Sequence, residues 1–502
     1  MIFRLGNRKA AVQQTQHSCY LPIELHERIL TECIDDPLMT FKELTVLRLV
    51  CKQFDKIIAS KILSDISLFG KSDSVWSNLR QLENLLSLKQ TAYSRGVKTV
   101  RIVDWDWISG SRSFMSWNEM PILSIFILLN TLIVVGHLCR PFILPHTMPR
   151  RIYKKTLRFY ARLRLSETFK PRLKLPEVKK IIWSVKAEPD WVIASTVRVL
   201  QEFPQLDELV LNVDEGMKNM GSFACRVSKL NKLRKLDINA KYTIPGKVDP
   251  GRSWAINELG KIIGANPDLT HLELGQESNG ENIDLVYMFS YIPKNRPLKL
   301  EHIGIHNTFW GPQAIIPHTR QLNSFHFSDS QYATTLLTEN VFPPVISFGS
   351  ADEHTIEYLN RHPKITSLSF SNSHANPEIF EIMARHSETL TEYGAYADSN
   401  FWCLDEICFE QPFLRCINLK RIVFHTRRRQ DNNFDPLNIT PKMAAALSVI
   451  SRLGSSPNMV FGRFGYFKGC QEYCRESDNP LLRDLAKRMV YDGPRQKGRS
   501  SV

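Results

Sequence analysis

Apolar residues near the N-terminus recur every three or four positions, which is the spacing of one face of an α-helix. The first run follows Pro22, and it ends before Pro37 because the residue preceding a proline disfavours helix. A second run covers residues 44–58. The pattern predicts a helical unit over residues 20–69, which buries too little apolar surface to be stable without a neighbour.

From about residue 97 onward the pattern changes to short triplets of the form apolar-x-x-apolar-x-apolar. This triplet resembles the strand signature of leucine-rich repeats. Three copies share an eight-residue pattern that opens with a proline, at Pro204, Pro267 and Pro363. The matches are Val97/Val100/Ile102, Leu129/Leu132/Val134, Val178/Ile181/Trp183, Leu206/Leu209/Leu211, Leu233/Leu236/Ile238, Leu269/Leu272/Leu274, Leu300/Ile303/Ile305, Leu322/Phe325/Phe327, Ile365/Leu368/Phe370 and Leu419/Ile422/Phe424.

These patterns predict an α/β fold in which the helical unit is followed by an irregular leucine-rich-repeat solenoid. Each repeat would place a strand on the concave face and a helix or loop on the convex face. The predicted boundaries are 1–19 for a flexible N-terminus, 20–69 for the helical unit, 70–455 for the solenoid and 456–502 for a C-terminal cap with a basic tail. A short helix is predicted over 479–491, and 330–360 and 376–410 contain no clear repeat.

The helical unit resembles the F-box, the module that attaches substrate receptors to the Skp-type adaptor of cullin–RING ubiquitin ligases. The most specific part is the phrase Leu47-Arg-Leu-Val-Cys-Lys-Gln-Phe54, and about 45 residues are covered. Residues 34–43 lengthen the connection between the first two helices relative to the family. The resemblance implies that the adaptor-binding residues are Leu21, Pro22, Ile29, Leu47, Val50, Cys51 and Phe54, and that cullin and a RING subunit join through the adaptor.

The outward positions of the predicted strands form a long polar surface, which includes Lys235, Asp237, Gly304, Ser367 and Ser369 among others. Its most distinctive side chains are candidates for binding a target protein, namely His271, Glu273, His302 and His326. The three histidines are predicted to share one outward register. A column of histidines could hold a metal or sense pH, but the repeat accounts for the shared register without either. No metal site and no cofactor are predicted.

The composition is typical of folded proteins, and the chain carries a net positive charge. Hydrophobic residues make up 43% and charged residues 23%, and the formal net charge is +14. Residues 146–180 contain twelve Lys or Arg and only two Glu. This segment is either a solvated surface or a site for nucleic acid or an acidic protein face, and binding to nucleic acid would weaken steeply with salt.

The ten cysteines are scattered, which favours a reducing compartment, and a cytoplasmic or nuclear location is expected. Residues 122–139 carry no formal charge and reach the lower limit for a membrane span. Polar residues interrupt them and positive charge flanks only one side, so a buried core segment is favoured over a transmembrane helix.

The sequence contains no GxxxxGK[ST], GxGxxG, GxSxG or HExxH motif, so a catalytic role is not expected. The favoured function is that of a non-catalytic substrate-recognition subunit of an SCF-type ubiquitin ligase. The alternatives are a repeat scaffold that the N-terminal helices cap, and a basic-surface binder of nucleic acid or acidic proteins. The sequence does not identify the target, any modification that it carries or the oligomeric state.

Overall fold

The computed structural model describes residues 25, 28–30, 46, 58, 64–69, 97–103, 177–185, 193–194, 196–197, 200–201, 203–214, 220–241, 258–277, 283–306, 309–370, 376–396, 407–425, 439–462 and 464–492. The chain divides into two compact units, Met1–Ile62 with Gln496–Val502, and Leu63–Arg495.

In the first unit, the described residues 25, 28–30, 46 and 58 are all helical. Leu30 and Ile58 are buried, whereas Leu25, Ile29 and Val46 are 43%, 47% and 58% exposed. These positions therefore have the conformation that the apolar periodicity predicts, and they include apolar side chains on the surface as well as in the interior.

The described part of the second unit is built on a parallel sheet whose fourteen strands lie side by side in chain order. Its strands are β1 (Asp65–Phe69), β2 (Thr99–Val103), β3 (Lys180–Val185), β4 (Glu208–Asp214), β5 (Lys235–Lys241), β6 (His271–Glu277), β8 (His302–His306), β10 (Ser324–Phe327), β11 (Val345–Phe348), β12 (Ser367–Phe370), β13 (Glu392–Tyr396), β14 (Arg421–His425), β15 (Asn458–Phe461) and β16 (Met489–Tyr491). Two short strands, β7 (Ile283–Asp284) and β9 (Phe309–Trp310), pair separately. A sheet whose consecutive strands are all parallel neighbours is the arrangement of a leucine-rich-repeat-like solenoid.

Every predicted triplet within the described residues forms a strand or its immediate approach, and the triplet at 129–134 lies outside them. The sheet extends beyond the predicted limits of 70–455, because β1 precedes residue 70 and both β15 and β16 follow residue 455. The segment 479–491 is a helix only to Lys487 and then continues as β16. Strands also occupy Val345–Phe348 and Glu392–Tyr396, where no repeat was predicted.

Helices connect many of the strands. They are α1 (Met220–Val227), α2 (Gly260–Gly264), α3 (Leu285–Phe289), α4 (Gln331–Thr338), α5 (Glu353–Arg361), α6 (Pro377–Arg385), α7 (Ile407–Leu414), α8 (Pro441–Ser451), α9 (Phe464–Glu476) and α10 (Pro480–Lys487), with a 3₁₀ helix at Pro312–His318. Three of them begin alike: Asn376, Thr440 and Asn479 each accept a hydrogen bond from a first-turn N–H, and a proline follows at once. The side chain satisfies a free N–H and the proline has the backbone angle that a helix start needs.

Alternate strand residues and the inner faces of the helices form one continuous hydrophobic core. It is rich in aromatic rings beneath β10 and β11, where Phe325 lies 5.1 Å from Phe348 and Phe327 stacks on Tyr332 at 4.5 Å between ring centroids. All four side chains are less than 2% exposed. Burial of these rings stabilises the repeats of β10 and β11 and joins them to each other.

A buried asparagine also links successive repeats. The Asn266 side chain is fully buried, its Nδ2 donates to the carbonyl of Ile262 at 2.8 Å, and its Oδ1 accepts from the N–H of Leu233 at 2.9 Å. Leu233 lies just before β5 and Asn266 just before β6, so one side chain satisfies backbone groups in two repeats.

We expect Asn266→Ala to lower the free energy of unfolding by about 2–3 kcal/mol, because it leaves a buried N–H without an acceptor. The exposed Asn458→Ala is the control, and its change should stay within about 0.5 kcal/mol. Chemical denaturation of the full chain measures both values. Equal effects of the two variants would contradict the structural role assigned to Asn266.

Candidate functional site

The sheet has one face packed against the core and one face turned away from it. In β3, β10 and β12 buried and partly exposed side chains alternate strictly, with the buried ones in the core. The side chains on the other side of these strands are partly exposed, and we call this side the open face. Strand pairing aligns its residues in rows, and Lys235, His271, His302 and Ser324 are partners in one of them.

Charged side chains on the open face pair across neighbouring strands near both ends of the sheet. Lys180 on β3 bonds to Glu208 on β4. Arg421 on β14 bonds to Glu392 on β13 at 3.0 Å. Such half-exposed pairs contribute little stability each, so the strands in the middle of the sheet carry the more distinctive chemistry.

The centre of the open face is a network of histidines around one carboxylate. Nε2 of His302 donates to Oε1 of Glu273 at 2.5 Å, and Nε2 of His306 donates to Oε2 of the same residue at 2.7 Å. Nδ1 of His302 lies 2.7 Å from the Ser324 hydroxyl. Burial alone would raise the pKa of Glu273, but the bonds from the two imidazoles lower it to about 2. Glu273 is therefore a carboxylate at neutral pH, with both oxygens in use.

A glycine makes this geometry possible. Gly304 on β8 is the strand partner of Glu273, and a methyl group on Gly304 would overlap the Glu273 carboxylate. The carboxylate therefore lies over Gly304, between the two histidines that flank this glycine on β8. Gly275 on β6 likewise leaves room for the side chain of its strand partner Asn239 on β5. The side chains of Asn239 and Glu273 therefore each lean toward the next strand of the sheet.

The remaining predicted histidines adjoin this network. The rings of His271 and His302 stack with centroids 5.8 Å apart, and the rings of His306 and His326 meet edge-on at 4.3 Å. Burial lowers the pKa of His271 below its ordinary value. The prediction of one shared register was wrong for His326, because it pairs with Gly304 rather than with His302. His326 lies on the same face, one row farther along.

His306 was absent from the predicted candidates. The alternation of strand side chains places residues 302, 304 and 306 on one face, so extending β8 by two residues would have identified it. Among the described residues, no group of three or more His, Cys, Asp or Glu side chains is placed to hold a metal ion. The arrangement offers hydrogen-bonding groups and charge on a surface, which is the chemistry of recognition.

Of the predicted adaptor-binding residues, Ile29 is helical and 47% exposed. The others lie outside the described residues: Leu21, Pro22, Leu47, Val50, Cys51 and Phe54. The candidate membrane segment 122–139 and nearly all of the basic segment 146–180 also lie outside them. Within the described portion of the chain, no helix has the length and apolar character needed to cross a membrane.

No protein-family model matches the chain, and no curated protein matches it. A solved structure, the leucine-rich repeat-containing protein LegL7 from Legionella pneumophila, is similar with a TM-score of 0.37 and 10% sequence identity. The match covers 78% of this chain and 97% of that one. The fold assignment rests on the strand order and the triplets of the chain itself.

Proposed function

We propose that the protein is a non-catalytic substrate-recognition subunit of an SCF-type cullin–RING ubiquitin ligase. In this proposal the open face binds a target protein, and residues 20–69 bind the Skp-type adaptor, which brings in cullin and the RING subunit. The observation that carries the recognition part is the polar, partly exposed face of a long parallel sheet. An extended, rigid surface of this kind suits binding to another protein.

The adaptor part of the proposal rests on the F-box resemblance of residues 20–69. One observation on the described residues supports it. Leu25 and Ile29 are both helical, four positions apart, and both expose apolar side chains. These two positions therefore offer apolar surface to a partner.

The mechanism that follows is proximity. A receptor that holds its target beside a ubiquitin-charged enzyme raises the effective concentration of the target lysines, and the bond-forming chemistry belongs to other subunits. The receptor then needs two binding surfaces and no catalytic residues of its own.

Binding of the purified full-length chain to a purified Skp-type adaptor tests the proposal. The double variant Leu21→Ala/Pro22→Ala should weaken binding at least tenfold, about 1.4 kcal/mol, while its melting temperature is unchanged. The control is Leu481→Ala, which truncates an exposed leucine of α10 and should bind like the wild type.

A folded wild type that fails to bind the adaptor would refute the ligase role. The repeat scaffold and the basic-surface binder would then remain. They are distinguished by whether binding to nucleic acid or an acidic protein weakens steeply between low and high salt.

A further inference from the structure

Two carboxylates stand side by side at the centre of the open face. Asp237 on β5 and Glu273 on β6 are direct strand partners, and both are half-buried. Like charges on directly paired strand residues repel each other, and the repulsion is stronger where water is partly excluded. Among the described residues, cationic or N–H donors offset this repulsion at Glu273 but not to the same extent at Asp237.

Glu273 has a histidine partner at each of its two oxygens. Its two oxygens accept hydrogen bonds from His302 and His306, and its side chain leans over Gly304 toward β8, away from Asp237. The histidines and the glycine thus hold this carboxylate in one position. Each of its oxygens already has a donor, so Glu273 needs a further cation less than Asp237 does.

In the part of the chain that the structure describes, Asp237 has one hydrogen bond, in which Oδ1 accepts from Nδ2 of Asn239 at 2.7 Å. Among the described residues, none provides a Lys, Arg or His nitrogen within 4 Å of its carboxylate. Burial and the neighbouring Glu273 raise the pKa of Asp237 to about 6, and His306 and Lys180 oppose this rise from farther away. Asp237 therefore remains mostly ionised at neutral pH, at a cost to the stability of the fold.

The surroundings favour one kind of partner. A free carboxylate oxygen on a half-buried surface takes a cation that brings its own hydrogen-bond donors. A guanidinium does so with a planar fork, and it also packs on aromatic rings such as the nearby imidazoles. An ammonium is more strongly hydrated and loses more on burial. A metal ion is disfavoured, since no set of three or more metal-ligating side chains is assembled among the described residues.

We propose that Asp237 receives an arginine side chain of the target protein, with Glu273, His302 and His306 as the fixed rim of the site. The inference rests on the proposed recognition role of the open face and specifies the chemistry of the partner. Binding of the arginine would neutralise the charge of Asp237. The destabilisation that this charge causes in the free protein would then be relieved, which would favour the complex.

The test uses the full-length chain labelled with ¹³C at histidine Cε1, and N-acetyl-argininamide as the probe. The rings of His302 and His306 should report saturable binding. N-acetyl-citrullinamide, which has the same shape without the charge, should bind at least tenfold more weakly. Asp237→Asn should weaken the arginine probe by at least tenfold. Glu388→Gln, which removes an exposed carboxylate elsewhere, should leave the affinity unchanged.

The melting temperature gives a second reading. At pH 7, Asp237→Asn should raise it by about 2 °C or more, because the variant removes a poorly solvated, repelled charge. The gain should shrink as the pH falls from 6 toward 4, since protonation then neutralises Asp237 in the wild type as well.

Three results would overturn the inference: equal affinity for the arginine and citrulline probes, no effect of Asp237→Asn on binding, or a lowered melting temperature in that variant. Adaptor binding should be unaffected by Asp237→Asn. A failure of this inference is thereby separable from a failure of the ligase role, which would appear as lost adaptor binding by the wild type.

Discussion

Replacing Gly260 with alanine is expected to lower the free energy of unfolding by about 3 kcal/mol, because a methyl group there would overlap the backbone of α3. The added carbon would collide with the carbonyl oxygen of Met288 and lie 2.8 Å from its Cα. Gly264, one turn later in α2, faces the carbonyl of Tyr291 in the same way at 2.5 Å. Backbone atoms cannot move aside as a flexible side chain can, so α2 and α3 would have to separate.

The sign of this effect is unusual and therefore informative. Glycine to alanine within a helix ordinarily stabilises a protein by about 0.5–1 kcal/mol. Gly221 in α1 is the matched control, since a methyl group there would make an ordinary contact at 3.5 Å with Glu258. Thermal and chemical denaturation should show Gly221→Ala neutral or stabilising and Gly260→Ala strongly destabilising. Similar stability of the two variants would contradict the close approach of α2 and α3.

Low pH is expected to destabilise the second unit of the chain, because protons bind to two buried histidines when it unfolds. His318 is 6% exposed, and its Nδ1 accepts from the N–H of Leu298 at 2.9 Å. His362 is 4% exposed; its Nε2 donates to the carbonyl of Pro343 at 3.0 Å, and its Nδ1 accepts from the N–H of Lys364 at 3.2 Å. Protonation of either Nδ1 would remove an acceptor and place a charge in the core. Burial lowers the pKa of each to about 4.

The stabilisation from the neutral imidazoles is fully present above about pH 6.5, the ordinary histidine value, and is lost as the pH falls toward 4, because the unfolded chain binds the protons first. The expected loss by pH 5 is about 2 kcal/mol for each histidine. Below pH 6, protonation of Asp237 removes a destabilising charge and raises the free energy of unfolding, which partly offsets the loss from the histidines. A comparison of variants is therefore needed to measure the contribution of the histidines.

Denaturation at pH 7.5 and pH 5.0 measures this effect. In the double variant His318→Gln/His362→Gln, the drop in stability between the two values should be less than half that of the wild type. His354→Gln, which changes an exposed histidine of α5, should leave the drop unchanged. An equal acid response of the double variant and the wild type would contradict the buried, neutral state of these histidines.

Much of the sheet could be predicted because its strands repeat one spacing. Leu236, Leu272, Ile303 and Phe325 are the middle residues of four predicted triplets, and they are also direct strand partners. The missed strand β13 keeps the spacing with Leu390, Tyr393 and Ala395, all buried. Tyrosine and alanine are weak signals for a leucine repeat, and a proline replaces the first apolar residue before β11.

The candidate site could be predicted only in outline. Alternation placed His271, Glu273 and His302 on one face, and aligning the triplets would have placed His326 opposite Gly304. The direction in which the Glu273 side chain leans depends on the empty space above Gly304, a tertiary feature that no local pattern encodes. Among the described residues no cation lies within ion-pair distance of Asp237, and this too follows from the positions of its neighbours and not from its own strand.

Recovery of the ligase subunits with the tagged full-length protein from cells tests the central claim most directly. The account predicts that the Skp-type adaptor and cullin accompany the wild type and the Leu481→Ala control, and that both are absent from the Leu21→Ala/Pro22→Ala variant at equal abundance and melting temperature. Recovery of the wild type, folded and abundant, without the adaptor would contradict the claim that this repeat protein acts as a receptor in a ubiquitin ligase.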